Sequence, residues 1–96
     1  MNRKELARIS KALSDPARLR IYETISSRPE MFCGELAKKL SLTPGTISHH
    51  LKILAEANLI ECRRKGQFIY NRTLPETIRE YTLALTNLAG KSKAQR

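Results

Sequence analysis

One stretch constrains this 96-residue chain more than any other: Cys33-Gly-Glu-Leu-Ala-Lys-Lys-Leu-Ser-Leu-Thr-Pro-Gly-Thr-Ile-Ser-His-His-Leu-Lys-Ile-Leu54. Leu36, Ala37 and Leu40 form one apolar stripe, while Glu35, Lys38 and Lys39 point elsewhere, which predicts a short helix. Ser41-Leu42 makes a turn. Thr43 then stands where an N-cap belongs, and Pro44 takes the first helical position, where its missing N–H costs nothing. Ile47, Leu51 and Leu54 recur at i, i+4 and i+7 and share a buried face. The opposite face carries Gly45, His49 and Lys52, flanked by Thr46, Ser48 and Ile53, and His50 falls at the edge of the buried stripe. That face is free of carboxylates until Glu56.

Two helices of this kind outline a DNA-reading helix-turn-helix, with the 43–57 helix lying in a major groove. Gly45 lets the backbone approach closely, and the helix N-terminus offers unpaired N–H groups to a phosphate. Thr43, Thr46, Ser48 and His49 are the candidate base-edge contacts, and Lys52 is placed for phosphate. Downstream, Leu59 to Arg72 reads as two β-type runs around a Lys65-Gly66 turn, with Phe68 and Tyr70 at alternating positions. Its tip carries Arg63, Arg64 and Lys65 in a row. A basic hairpin over 61–72, directly after a helix-turn-helix, is a wing that grips the sugar-phosphate backbone beside the groove.

The remaining segments read as scaffold. Asn2 to Leu13 carries Leu6, Ile9, Ala12 and Leu13 at helical spacing. Asp15 caps a second helix with Pro16 at its first position, and Arg28-Pro29 ends it. Thr73-Leu-Pro-Glu76 matches a capping box that opens a last helix presenting Ile78, Tyr81, Leu85 and Leu88. This helix is too apolar to stand uncovered on so small a domain. The expected fold is mainly α with a small β-hairpin: five helices and a two-stranded wing. Residues 1–90 form one DNA-binding and dimerisation domain, and 91–96 a flexible basic tail.

Several motifs together resemble the ArsR-type (ArsR/SmtB-like) winged helix-turn-helix repressors. They run from Lys11-Ala-Leu-Ser-Asp-Pro-Ala-Arg-Leu-Arg-Ile21 through Gly34-Glu-Leu-Ala37 and Ile47-Ser-His-His-Leu-Lys-Ile-Leu54 to Ala57-Asn-Leu-Ile60 and Lys65-Gly-Gln-Phe-Ile-Tyr70. The resemblance implies a homodimer that binds an imperfect palindrome and represses transcription until a signal releases it. It also implies dimerisation through the first and last helices, by Leu6, Ile9, Leu13, Ile78, Tyr81, Leu85 and Leu88. The chain departs from the family at Pro44 and Gly45, where relatives often carry glutamine or another polar residue. Base reading therefore rests on Thr43, Thr46, Ser48 and His49.

Charge agrees with this outline. Lys plus Arg outnumber Asp plus Glu by 18 to 9, a formal net charge of +9, which favours a polyanionic partner such as double-stranded DNA. No apolar run reaches membrane-spanning length and no signal peptide opens the chain, so a cytoplasmic location is expected. No nucleophile–base set, phosphate loop or catalytic carboxylate pair can be assembled, and an enzyme is excluded. The rivals are a non-specific architectural DNA-binding protein and a winged-helix module that binds only protein.

The signal that would release such a repressor is not legible. Many relatives sense metals through a Cys-x-Cys pair before the recognition helix, where this chain has Met31-Phe-Cys-Gly-Glu-Leu36 with a single cysteine. The last helix has Glu76 and Glu80 on one face but no histidine or cysteine, a poor transition-metal site. No metal or cofactor is expected, and no inducer is identified. Cys33 lies near a helix start and Cys62 among cations, an arrangement that suits a thiol-redox switch. The stronger reading treats both as small apolar residues of a cytoplasmic core.

Overall fold

A computed structural model describes residues 1–94, with side chains through Gly90. Its elements are α1 (Arg3–Ala12), α2 (Pro16–Ser26), β1 (Met31–Phe32), α3 (Cys33–Leu40), α4 (Pro44–Glu56), β2 (Ile60–Lys65), β3 (Phe68–Thr73) and α5 (Pro75–Ala94). Helix starts follow local capping chemistry. Asn2 and Glu5 close a reciprocal capping box at 2.8 and 3.0 Å. The Asp15 carboxylate accepts from the N–H groups of Ala17 and Arg18, and Thr43 Oγ1 accepts from Thr46 N–H. The Arg18 N–H first, with that of Ala17, holds the Asp15 carboxyl below the usual range. At α3 the Glu35 carboxylate accepts from Phe32 N–H and pairs with Arg28.

The wing differs from the expected two-stranded hairpin. β1 adds a third strand, giving an antiparallel sheet in the order β1-β3-β2, with Met31 opposite Asn71 and Phe32 opposite Tyr70. A strand of two residues is too short to show alternation in sequence. The hairpin turn is Gly66-Gln67 rather than Lys65-Gly66, because Lys65 pairs with Phe68. Gly66 has φ +62°, the conformation a tight two-residue hairpin needs at its first central position. The Thr73–Glu76 capping box does not form: Thr73 ends β3 opposite Ile60, and α5 starts at Pro75. Of the expected tail, 91–94 continue α5 and 95–96 lie outside the described residues.

The core gathers Ile21, Ile25, Met31, Leu36, Ile47, Leu54 and Leu59, all less than 2% exposed. Each such side chain contributes roughly 1.5–3 kcal/mol on leaving water. Ile9, expected at a dimer interface, is instead part of this core at 2% exposure. Ile78 and Tyr81 of α5 also pack against the core, and the Tyr81 hydroxyl shares a 2.8 Å hydrogen bond with Ser10 of α1. Beyond Tyr81 the same stripe is bare: Leu85 and Leu88 are 41% and 53% exposed. The molecule measures 55 × 23 × 22 Å.

A buried cation joins three helices. Arg18 is 8% exposed, and its Nε donates to the Ala12 carbonyl at 2.7 Å. Nη2 reaches the Lys11 carbonyl and Nη1 reaches His50 Nδ1, both at 3.4 Å, while Asp15 lies 3.8 Å away. The guanidinium thus caps the carbonyl end of α1, where positive charge is favoured, and holds a buried histidine of α4. Arg18→Met would leave the Ala12 carbonyl without its partner inside the protein. It should lower stability by roughly 2–4 kcal/mol, read as a lower urea midpoint at unchanged slope.

Candidate nucleic-acid interface

α4 buries Ile47, His50, Leu51 and Leu54 and leaves Pro44, Gly45, Thr46, Ser48, His49 and Lys52 exposed. That division matches the stripe read from sequence, except that His50 belongs to the buried side rather than its edge, at 9% exposure. A Cβ built on Gly45 meets nothing within 4 Å, so no packing inside the protein demands glycine there. Two of the predicted base readers are committed to the helix start. Thr43 Oγ1 accepts from Thr46 N–H and donates to Thr46 Oγ1 at 2.9 Å. Thr46 keeps its own hydroxyl proton for an outside acceptor. Among the described residues, Ser48, His49 and Lys52 make no side-chain hydrogen bond or ion pair within the chain.

Ser48 and Lys52 face the sheet. With Leu51, Cys33, Cys62, Ile69 and Asn71 they line a cleft of about 220 Å³ between α4, the start of α3 and the β2–β3 hairpin. Asn71 anchors its floor and is fully buried. Its carboxamide nitrogen donates to the Met31 carbonyl at 3.2 Å and to Cys33 Sγ at 3.4 Å. Its oxygen accepts from the Cys62 thiol at 3.1 Å. The two cysteines therefore meet at the two ends of one side-chain amide. Burial, then the nearby Cys33 and Glu61, pushes the Cys62 thiol up from its ordinary pKa.

The three consecutive wing cations do not share a face. Side chains alternate along a strand, and cross-strand partners lie on the same side. Arg64 stands opposite Ile69, and Cys62 opposite Asn71, so Arg64 belongs to the sheet face turned toward α4. Arg63 and Lys65 stand opposite Tyr70 and Phe68, on the other face. There Phe32 makes edge contacts with Phe68 and Tyr70 at centroid separations of 5.4 and 6.1 Å. The Lys65 ammonium lies 5.0 Å from the Tyr70 ring centre and 3.5 Å from Glu30 Oε1, while Arg63 lies 3.7 Å from Glu30 Oε2.

Sequence reasoning missed three residues of this region. Arg18 sits at the third position of α2, in the first turn, where a cation opposes the helix dipole; that local conflict is the signal that another partner holds it. Asn71 reads as an ordinary polar strand residue, and Glu30 is assigned no partner until β1 brings it beside the wing. Among the described residues, no group of three or more His, Cys, Asp or Glu is arranged to hold a metal ion. Nor is any helix long and apolar enough to cross a membrane.

Comparison with known proteins agrees with this geometry. The profile of a family described as "Helix-turn-helix domain" matches residues 13–63. The chain is 42% identical to Transcriptional repressor SdpR of Bacillus subtilis (strain 168), over 65% of this chain and 68% of that protein. An ArsR-like transcriptional regulator from Rhodococcus sp. RHA1 superposes with a TM-score of 0.89 at 25% identity, covering 96% of this chain and 86% of the other. The homodimeric winged helix-turn-helix DNA-binding domain Mb0332 from Mycobacterium bovis, a possible ArsR-family regulator, gives 0.74 at 26% identity, covering 90% and 80%. Fold and relatives together establish that the chain belongs to the ArsR/SmtB-type family of winged helix-turn-helix transcriptional repressors.

Proposed function

We propose that the chain acts as a homodimer that binds a palindromic operator and blocks transcription, with α4 of each protomer in a major groove and each wing on the adjoining backbone. The observation that carries this reading is the set of exposed, uncommitted groups on α4 and on the sheet face beside it. Ser48, His49 and Lys52 on α4 have no side-chain hydrogen bond or ion pair among the described residues, and Arg64 lies on the sheet face turned toward the same helix. Thr43 and Thr46 close the helix start: Pro44 has no N–H, the Thr46 N–H is bonded to Thr43 Oγ1, and the Gly45 N–H is left without a partner among the described residues. The bare continuation of the α5 stripe, Leu85 and Leu88, supports pairing with a second copy. The homodimeric state of Mb0332 points the same way.

Cys33 and Cys62 enter this reading as thiols that seat the wing, since the Cys62 thiol donates to the Asn71 carboxamide oxygen and the Asn71 carboxamide nitrogen donates to Cys33 Sγ. A thiol-redox-responsive repressor would require that seat to open. A non-specific architectural protein would share the charge and the dimer but not the preference for one sequence.

Fluorescence anisotropy tests the reading under reducing conditions, with the duplex immediately upstream of the gene and a shuffled duplex of equal length. Wild-type protein should prefer the native duplex. His49→Ala should cut that preference by about 1–2 kcal/mol. Arg64→Ala should weaken both duplexes alike and flatten the salt dependence by roughly one phosphate contact per protomer. Leu85→Glu/Leu88→Glu should elute as a monomer by light scattering and lose at least about tenfold in DNA affinity, because the second half-site no longer contributes.

A further inference from the structure

Glu30 sits between α2 and β1, outside every element expected to touch nucleic acid. Its two carboxylate oxygens nevertheless divide between two wing cations: Oε1 lies 3.5 Å from Lys65 Nζ and Oε2 lies 3.7 Å from Arg63. The contact is built from several sides. Strand alternation puts Arg63 and Lys65 on the sheet face that carries Phe32, Phe68 and Tyr70. Lys65 crosses the Tyr70 ring to reach Glu30, and β1 holds the acid beside β3 through the Met31–Asn71 and Phe32–Tyr70 pairs. Only Arg64 of the three tip cations has no carboxylate partner among the described residues.

We infer that Glu30 is a resident counter-anion that sets the strength of the wing's grip on DNA. A phosphate competes with this carboxylate for Arg63 and Lys65, so part of the wing's charge is already paired within the protein. Phosphate contacts carry no base information, and the restraint therefore lowers affinity for every duplex alike. In a chain of net charge +9, where non-specific attraction to DNA is strong, such a residue limits the time spent off the operator. Glu30 is a positioning residue for the wing and touches no base. The inference rests on the proposed role of the wing as a backbone clamp.

The test compares wild type, Glu30→Gln, and Glu30→Gln in an Arg63→Gln/Lys65→Gln background. Each is titrated into the gene-upstream duplex and its shuffled counterpart across a salt series. Glu23→Gln is the control, an equal change of charge at an exposed site on α2 away from these cations. Glu30→Gln should bind both duplexes about threefold to tenfold more tightly, with their ratio unchanged. The slope of log K against log salt should steepen by roughly 0.9 for each phosphate newly neutralised. Both effects should vanish in the Arg63→Gln/Lys65→Gln background and exceed those of Glu23→Gln. Unchanged or weaker binding by Glu30→Gln overturns the inference, as does a gain no larger than that of Glu23→Gln or one that persists without Arg63 and Lys65. Wild-type protein that binds neither duplex overturns the proposed function and this inference with it. Wild-type binding with an inert Glu30→Gln overturns the inference alone.

Discussion

The position of the reading helix depends on one buried guanidinium. Arg18 receives the carbonyl end of α1 through Lys11 and Ala12 and touches His50 on the inner side of α4, while its own backbone starts α2 under the Asp15 cap. Ile47, Leu51 and Leu54 pack into the core and leave α4 little freedom to turn or slide. A directional contact to a histidine on the same helix restricts that freedom. Burying a cation is costly, and here the cost is offset by the Ala12 carbonyl, which the end of α1 would otherwise leave without a partner. Apolar packing and this polar contact together set which residues of α4 remain outside.

The wing is set by a second polar joint of different chemistry. Asn71 stands at the centre of the sheet and ties β1 and β2 to the start of α3 through one carboxamide. Because the sheet is anchored on its inner face, the alternation of β2 is locked in register, and the basic run at its tip is split. Arg64 turns toward α4, whereas Arg63 and Lys65 turn toward the aromatic face and Glu30. A run of three cations in sequence therefore becomes two populations with different local fields.

Much of the helix-turn-helix was legible because its signals are local. Thr43 and Pro44 mark a helix start by their own chemistry, and Ile47, Leu51 and Leu54 mark a face by spacing alone; all three are buried. Gly66 likewise announced a turn, although the pairing of Lys65 with Phe68 shifted that turn by one residue. What escaped depends on contacts between distant segments. β1 has only two residues, Asn71 looks like any polar strand residue, and Glu30 acquires meaning only when β1 lies against β3. The resemblance implies Ile9 at a dimer interface, whereas helical spacing marks only an apolar face and not what covers it; Ile9 packs into the protomer's own core. The same limit left the site half-read: the helix face was visible, but the commitment of Thr43 and Thr46 to each other and the division of the wing cations were not.

The central claim is that two copies of α4 read two half-sites through paired major grooves. Selection of the purified wild-type protein on a pool of randomised duplexes, followed by sequencing of the bound fraction, tests it most directly. The account predicts enrichment of an inverted repeat whose half-site centres lie about one helical turn apart, roughly 10 base pairs. A bound fraction with no enriched motif, or with a single unrepeated half-site, would contradict it.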